Sequence, residues 1–188
     1  VEILNELEKN TYNTPVGRTI FQKISYVATA SGVPTNLNFQ QSSYGPFSNQ
    51  LKQVITILAN NGLVVEEKKG QMFKLRVGHN FEKLRLKYKD EIEQYKNIID
   101  QTADLFARMT TDQAEITTTI FFSSKELKKK NGKTSISEKD ILEYILEWKK
   151  RRRPPLDTKE VATAIRNLAM LKWLKVDFSP DLPVVEEF

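Results

Sequence analysis

The stretch LVVEEKKGQMFKLRV, residues 63–77, most constrains what this chain can fold into. Two runs rich in Val, Leu, Met and Phe flank a Lys69-Gly70 turn, the signature of a β-hairpin. A helical pattern leads directly into it. Leu51, Val54, Ile55 and Leu58 form an apolar stripe, and Asn61-Gly62 supplies the left-handed residue that closes a helix. Ser48 is placed as the N-cap of that helix. Upstream, Ile20, Phe21, Ile24, Val27 and Ala28 share one face of a helix over residues 18–31, ended by Gly32. Between the helices runs VPTNLNFQQS, where Leu37 and Phe39 alternate with polar neighbours.

Helix, loop, helix, hairpin is the order of a winged-helix unit, which we assign to residues 1–79. Residues 80–188 read as a helical extension packed with it as one module, giving a mainly α (α+β) fold class. Asn80 is expected to cap a long helix from Phe81 to Met109, with Leu84, Tyr88, Ile92, Tyr95, Ile99 and Phe106 near one side. Its apolar spacing wanders, so it should pack on its own domain rather than form a coiled coil. Asp112 starts a helix carrying Ala114, Ile120, Phe121 and Leu127 that stops at Asn131-Gly132. Ser137, with Asp140 three residues on, opens another that carries Ile141, Tyr144, Ile145 and Trp148. Pro154-Pro155 breaks the chain, and Thr158 is expected to cap a last helix with Val161, Ile165, Leu168 and Leu171. The tail, DFSPDLPVVEEF, is acidic, Pro-containing and expected to be extended. ITILANNGLVVEE at 55–67 echoes IRNLAMLKWLKVD at 165–177. The echo fits a second winged-helix-like unit without its wing, or simply the way many helices hand over to strands.

Composition narrows the function. At 188 residues, 39% hydrophobic and 28% charged, the chain is globular rather than disordered. It has no Cys, which excludes a disulfide framework and thiolate metal sites and leads us to expect a reducing, cytoplasmic setting. No apolar run approaches the roughly 20 residues that cross a bilayer. The chain begins at Val1 rather than Met, so we expect a piece of a longer protein. The net charge of +5 gathers in two runs, Lys125, Lys128, Lys129, Lys130 and Lys133, then Lys149 to Arg153. Such runs attract phosphates, and they also simply complement helix C-termini.

Catalytic constellations are missing. His79 is the sole histidine and sits between a strand end and a helix start. There is no Gly-x-Ser-x-Gly elbow and no Gly-rich phosphate loop. Glu66-Glu67 and Asp90-Glu91 carry no acid/base spacing. We therefore expect no catalytic residue, metal, cofactor or small-molecule substrate. As a DNA reader, the second helix would offer Asn49, Gln50, Lys52, Gln53, Thr56 and Asn60. The hairpin adds Lys68, Lys69, Lys74 and Arg76 against Glu66 and Glu67. One lysine on the reading helix is thin support for phosphate contacts, so a winged-helix DNA-binding regulator is the alternative reading.

The SSYGPFSNQL stretch, residues 42–51, places two aromatics around Gly-Pro. Gly45 permits backbone angles closed to other residues, and Pro46 fixes φ and biases Gly45 toward extended geometry. Phe47 is placed for a hydrophobic staple on Leu51 or the Lys52 stem, and Tyr44 should lie against the first helix near Tyr26. Direct contact of Tyr44 or Phe47 with a partner is the other role such a loop can have.

Residues 19–64, TIFQKISYVATASGVPTNLNFQQSSYGPFSNQLKQVITILANNGLV, resemble the C-terminal toxin-binding domain of DarG-type antitoxins and, more loosely, other Tyr-Gly-Pro-motif antitoxin domains. Phe21, Gln22, Lys23, Ile24 and Tyr26 carry the likeness in the first helix, Tyr44, Gly45, Pro46 and Phe47 in the loop, and Leu51, Leu58, Asn61, Gly62 and Leu63 in the second helix. Phe21, Lys23, Tyr26, Gly45 and Pro46 are its structural motif. The resemblance covers about a quarter of the chain, and residues 80–188 match no sharp motif of the family. It implies a non-catalytic module that binds and silences a toxin which ADP-ribosylates single-stranded DNA; the family's enzymatic part, a macrodomain, has no counterpart in these residues. Such a toxin needs a positive groove with stacking surfaces. Asp177, Phe178, Asp181, Glu186, Glu187 and Phe188 would offer that groove acids in place of phosphates and aromatics in place of bases. With a tail used only in this way, removing residues 177–188 should leave the melting temperature nearly unchanged.

Overall fold

A computed structural model describes residues 1–10, 15–70, 72–132 and 135–185, with the side chains of residues 69 and 131 outside it. The fold is mainly helical, with two small antiparallel hairpins. It groups into two compact units: Val1–Gln40 with Pro46–Ala114, and Gln41–Gly45 with Glu115–Phe188. This division does not coincide with the sequence partition at 79/80, because the segment following the hairpin clusters with the first unit up to Ala114.

The first unit opens with α1 (Glu2–Lys9), which the sequence reading did not assign. Its buried residues Ile3, Leu4 and Leu7 give the i, i+1, i+4 pattern that could have revealed it. α2 (Arg18–Ala30) and α3 (Gln50–Asn60) follow, then β3 (Val64–Lys69) and β4 (Met72–Val77). β1 (Gln40–Ser42) and β2 (Gly45–Phe47) pair in a tight hairpin ahead of α3, of which Gln41–Gly45 falls to the second unit. β3 and β4 pair antiparallel from Val64↔Val77 to Lys69↔Met72. Gly17, at the start of α2, bridges Lys74, and the Leu75 N–H donates to the Val16 carbonyl at 2.8 Å. Helix, helix and hairpin in this order make a winged-helix-like unit, with α1 as the leading helix and only an isolated bridge at Gly17 ahead of α2. Leu4, Leu7, Val16, Val27, Leu51, Val64 and Leu75 are its most deeply buried apolar residues.

Gly62 closes α3 at φ +67°, and a Cβ there would fall 2.7 Å from the His79 ring, so conformation and space both call for glycine. Two capping expectations are corrected in this unit. Asn49, not Ser48, precedes α3, and the Ser48 hydroxyl has no hydrogen-bond partner among the described residues. Asn80 makes no side-chain cap; its amide donates to the Asn61 carbonyl at 3.0 Å. The expected single helix over 81–109 is instead α4 (Phe81–Lys87), α5 (Lys89–Gln94) and α6 (Lys96–Phe106), interrupted at Tyr88 and Tyr95. Neither tyrosine is a breaker by propensity, so tertiary packing decides. The turns let Ile99, Ala103 and Phe106 of α6 face inward, packing on α1 and α2, while Leu86 stays exposed.

The second unit holds most of α7 (Thr111–Asn131), then α8 (Glu138–Lys149) and α9 (Thr158–Met170). Residues 114–120 of α7 are buried without a break, so its sequence shows no amphipathic stripe. Ser137 and Asp140 form the expected capping box on α8, each side chain accepting the other's N–H at 3.0 Å. At α9 the cap is Asp157 rather than Thr158: its carboxylate accepts the Glu160 N–H at 2.9 Å.

The sequence echo is matched by hydrogen bonds in register. Asn61, Gly62 and Leu63 donate to Ile57, Ala59 and Leu58 in one unit, as Leu171, Lys172 and Trp173 donate to Asn167, Ala169 and Leu168 in the other. Lys172 takes the left-handed position at φ 62° that Gly62 fills in the first unit.

Candidate functional site

Within the first unit, α2 holds the segment after Gly45 by its main chain. Gln22 lies buried, donates to the Ser48 carbonyl at 2.9 Å and accepts the Ser48 N–H at 3.1 Å. A side-chain amide has one donor end and one acceptor end, so this single residue satisfies both of a buried serine's main-chain groups. Lys23, also buried, donates to the Pro46 carbonyl at 3.3 Å. Phe21 and Tyr26 belong to the core, with Tyr26 meeting Phe39 edge-on at 5.2 Å. Phe47 keeps 39% of its surface exposed while Leu51 is buried.

Gly45 adopts φ +91°, a left-handed geometry, rather than the extended one expected before a proline. Within the second unit Gln41, Ser43 and Tyr44, which precede it, meet α8 and the turn after that helix. Lys149 donates to the Ser43 carbonyl at 2.6 Å and to Glu115 Oε1 at 2.8 Å. Arg152 closes on the same carboxylate from Nε at 3.0 Å and Nη2 at 3.1 Å. Gln41 donates to the Tyr144 hydroxyl at 2.7 Å. Burial works against the charged form of Glu115, yet the hydrogen bonds from Arg152 and Lys149 outweigh it and hold its carboxyl below the usual range. Burial dominates for Lys149 and pulls its ammonium down against the opposing pull of Glu115. Tyr44 is 59% exposed, with the Arg152 guanidinium 5.9 Å from its ring.

The second basic run therefore splits by role. Lys149 and Arg152 are internal clamps, and Lys150 pairs with Glu147. In the first run Lys128 reaches the Lys175 carbonyl at 2.9 Å.

The tail, expected to be extended, is tied into the second unit. The Asp177 N–H donates to the Ile136 carbonyl at 2.8 Å, its carbonyl accepts the Glu138 N–H at 3.0 Å, and its carboxylate accepts Ser135 Oγ at 2.6 Å. Glu138, 1% exposed, takes Arg166 in a two-point pair at 2.7 and 2.9 Å and also the Ser179 N–H at 2.8 Å. Arg166 donates onward to the Ser179 carbonyl at 2.7 Å. Lys139 pairs with Asp181 at 2.6 Å in the open. Leu182 is buried, and Phe178 is 67% exposed with the Arg166 guanidinium 4.2 Å from its ring. Glu186, Glu187 and Phe188 lie outside the described residues.

The structure thus places Asp177, Phe178 and Asp181 on the second unit, and Tyr44, Phe47 and Phe178 are exposed aromatics among the described contact residues. Sequence reasoning missed Glu115, Glu138, Lys149, Arg152 and Arg166 as structural groups, because charged residues in helical patterns read as solvent-facing. Among the described residues no three His, Cys, Asp or Glu side chains gather as a metal site, and no helix is long and apolar enough to cross a membrane. No family model and no curated protein matches the chain.

Proposed function

We propose that this chain is a non-catalytic protein-binding module of antitoxin type, whose partner is a toxin that ADP-ribosylates single-stranded DNA. The observation that carries the reading is the turn around Gly45. Within the second unit Tyr44 stands exposed while Lys149 holds the preceding Ser43 carbonyl; within the first, Phe47 stands exposed next to Ser48, whose main chain Gln22 holds. A surface aromatic on a pre-ordered backbone loses little entropy on binding, which favours a recognition role. The likeness of residues 19–64 to DarG-type toxin-binding domains supplies the partner class. Asp177 and Asp181 are engaged inside the unit, so Tyr44, Phe47 and Phe178 are the residues we assign to the partner. The exposed face of α3 offers a single cation, Lys52, beside Gln53, Thr56, Ile57 and Asn60, which favours a protein partner over DNA.

The test is a competition. A toxin of this class is mixed with labelled single-stranded DNA and the chain is titrated in while anisotropy is followed. Release of the DNA at stoichiometric concentration supports the module and its mode of inhibition. If the chain itself takes up the DNA with steep salt dependence, the winged-helix regulator replaces the toxin-binding reading.

A further inference from the structure

The chain carries one five-residue pattern twice: residues 47–51 read FSNQL and residues 178–182 read FSPDL. Both close the same turn. The Leu51 N–H donates to the Ser48 carbonyl at 3.3 Å, and the Leu182 N–H donates to the Ser179 carbonyl at 3.2 Å. In both copies the serine and leucine are buried while the phenylalanine is exposed. The serine's main-chain N–H and carbonyl are in both cases taken by helical side chains. Gln22 performs both tasks in the first unit; in the second, Glu138 accepts and Arg166 donates.

The two copies differ in how the chain continues. FSNQL runs straight into α3 and is locked in by the helix. FSPDL follows α9 and is held by side chains plus the Ser137–Asp177 bridge. Its recognition is that of a bound peptide. Main-chain groups are read by a buried carboxylate and a guanidinium, and the serine hydroxyl accepts the Lys139 N–H at 3.2 Å. The acid is read by Lys139, the aromatic lies on Arg166, and the leucine is buried. Pro180 pre-sets the second residue of the turn, which lowers the entropy of ordering such a peptide.

We propose that α8 and α9 form a binding site for a short peptide of the form Phe-Ser-Pro-acid-Leu, and that residues 178–182 occupy it as an internal, exchangeable ligand. This goes beyond the toxin-binding reading and shares only Phe178 with it; the site itself is made by Glu138, Lys139 and Arg166. A tethered ligand competes at an effective concentration of about millimolar, so an added peptide enters only when the internal copy is weakened.

The experiment uses the full chain and a fluorescein-labelled peptide DFSPDLPVV. The unmodified chain should bind it weakly; Leu182→Ala, which weakens the internal copy, should bind it at least about tenfold more tightly. A peptide methylated on the serine nitrogen, unable to donate to Glu138, should lose that gain. Should Leu182→Ala fail to fold, Asp181→Lys decides, because that residue lies in an exposed pair and its change leaves the core intact. The Asp181→Lys chain should prefer the peptide carrying Asp over one carrying Lys at that position. A folded variant that binds neither peptide, or both without preference for the native chemistry, makes 178–182 a fixed part of the fold and overturns the proposal.

Discussion

Replacing Arg166 with Met strips the Glu138 carboxylate of two of its three side-chain hydrogen bonds, at 2.7 and 2.9 Å, and leaves it with the Ser179 N–H alone. Glu138 is 1% exposed, so water cannot take the arginine's place. Removing one partner of a buried pair costs about 3–5 kcal/mol. Arg166 itself keeps 20% of its side-chain surface in solvent, which places this case at the lower end, about 3 kcal/mol. With a urea m-value of about 2 kcal/mol/M, the denaturation midpoint should fall by about 1.5 M. The double variant Glu138→Gln/Arg166→Met removes the stranded charge and should recover part of the loss, so the two single effects will not add. A cost for Arg166→Met within about 0.5 kcal/mol, the range of ordinary surface changes, would refute the view that this pair anchors the tail. The same contacts revise the expectation for the tail: deleting residues 177–188 removes the Ser179 N–H and the buried Leu182, and the melting temperature should drop rather than hold.

Gln22→Ala should cost about 2 kcal/mol in chemical denaturation, because both main-chain groups of buried Ser48 lose their partner. Lys172→Gly relieves a side chain at positive φ and should stabilise by about 1 kcal/mol, whereas Gly62→Lys at the matching position should destabilise strongly; differential scanning of both variants checks the shared helix ending. Hydrogen bonding to Arg18 lowers the Glu66 carboxyl, and Arg152 and Lys149 lower that of Glu115 against its burial. The unfolded chain therefore takes up these protons first, and stability present above the ordinary value of 4.5 should fall as pH drops below it. Urea midpoints from pH 6 to 3 should show that slope, and Glu115→Gln should flatten it at a lower overall stability.

The hairpin, the two helices before it and the Asn61-Gly62 ending were legible in the sequence because each rests on local chemistry: alternation, 3.6-residue spacing, and a residue free to take positive φ. The Ser137 capping box was legible for the same reason, as was the 55–67/165–177 echo. α1 was equally local but went unread: Ile3, Leu4 and Leu7 fill barely two turns. The uniform burial of α7 and the interruptions at Tyr88 and Tyr95 follow from what each helix packs against, and no window of sequence contains that. The choice of Asn49 and Asp157 over Ser48 and Thr158 as caps turned on a shift of one residue in each helix start. The candidate site divides in the same way. Tyr44, Gly45, Pro46 and Phe47 announce themselves as a turn with exposed aromatics, and the acids of the tail are plain in the composition. Glu115 lies 34 residues from Lys149, and Glu138 lies 28 residues from Arg166. Whether such charges face water or each other depends on which helices meet, since a buried charge is stable only where tertiary structure brings its partner within hydrogen-bond reach.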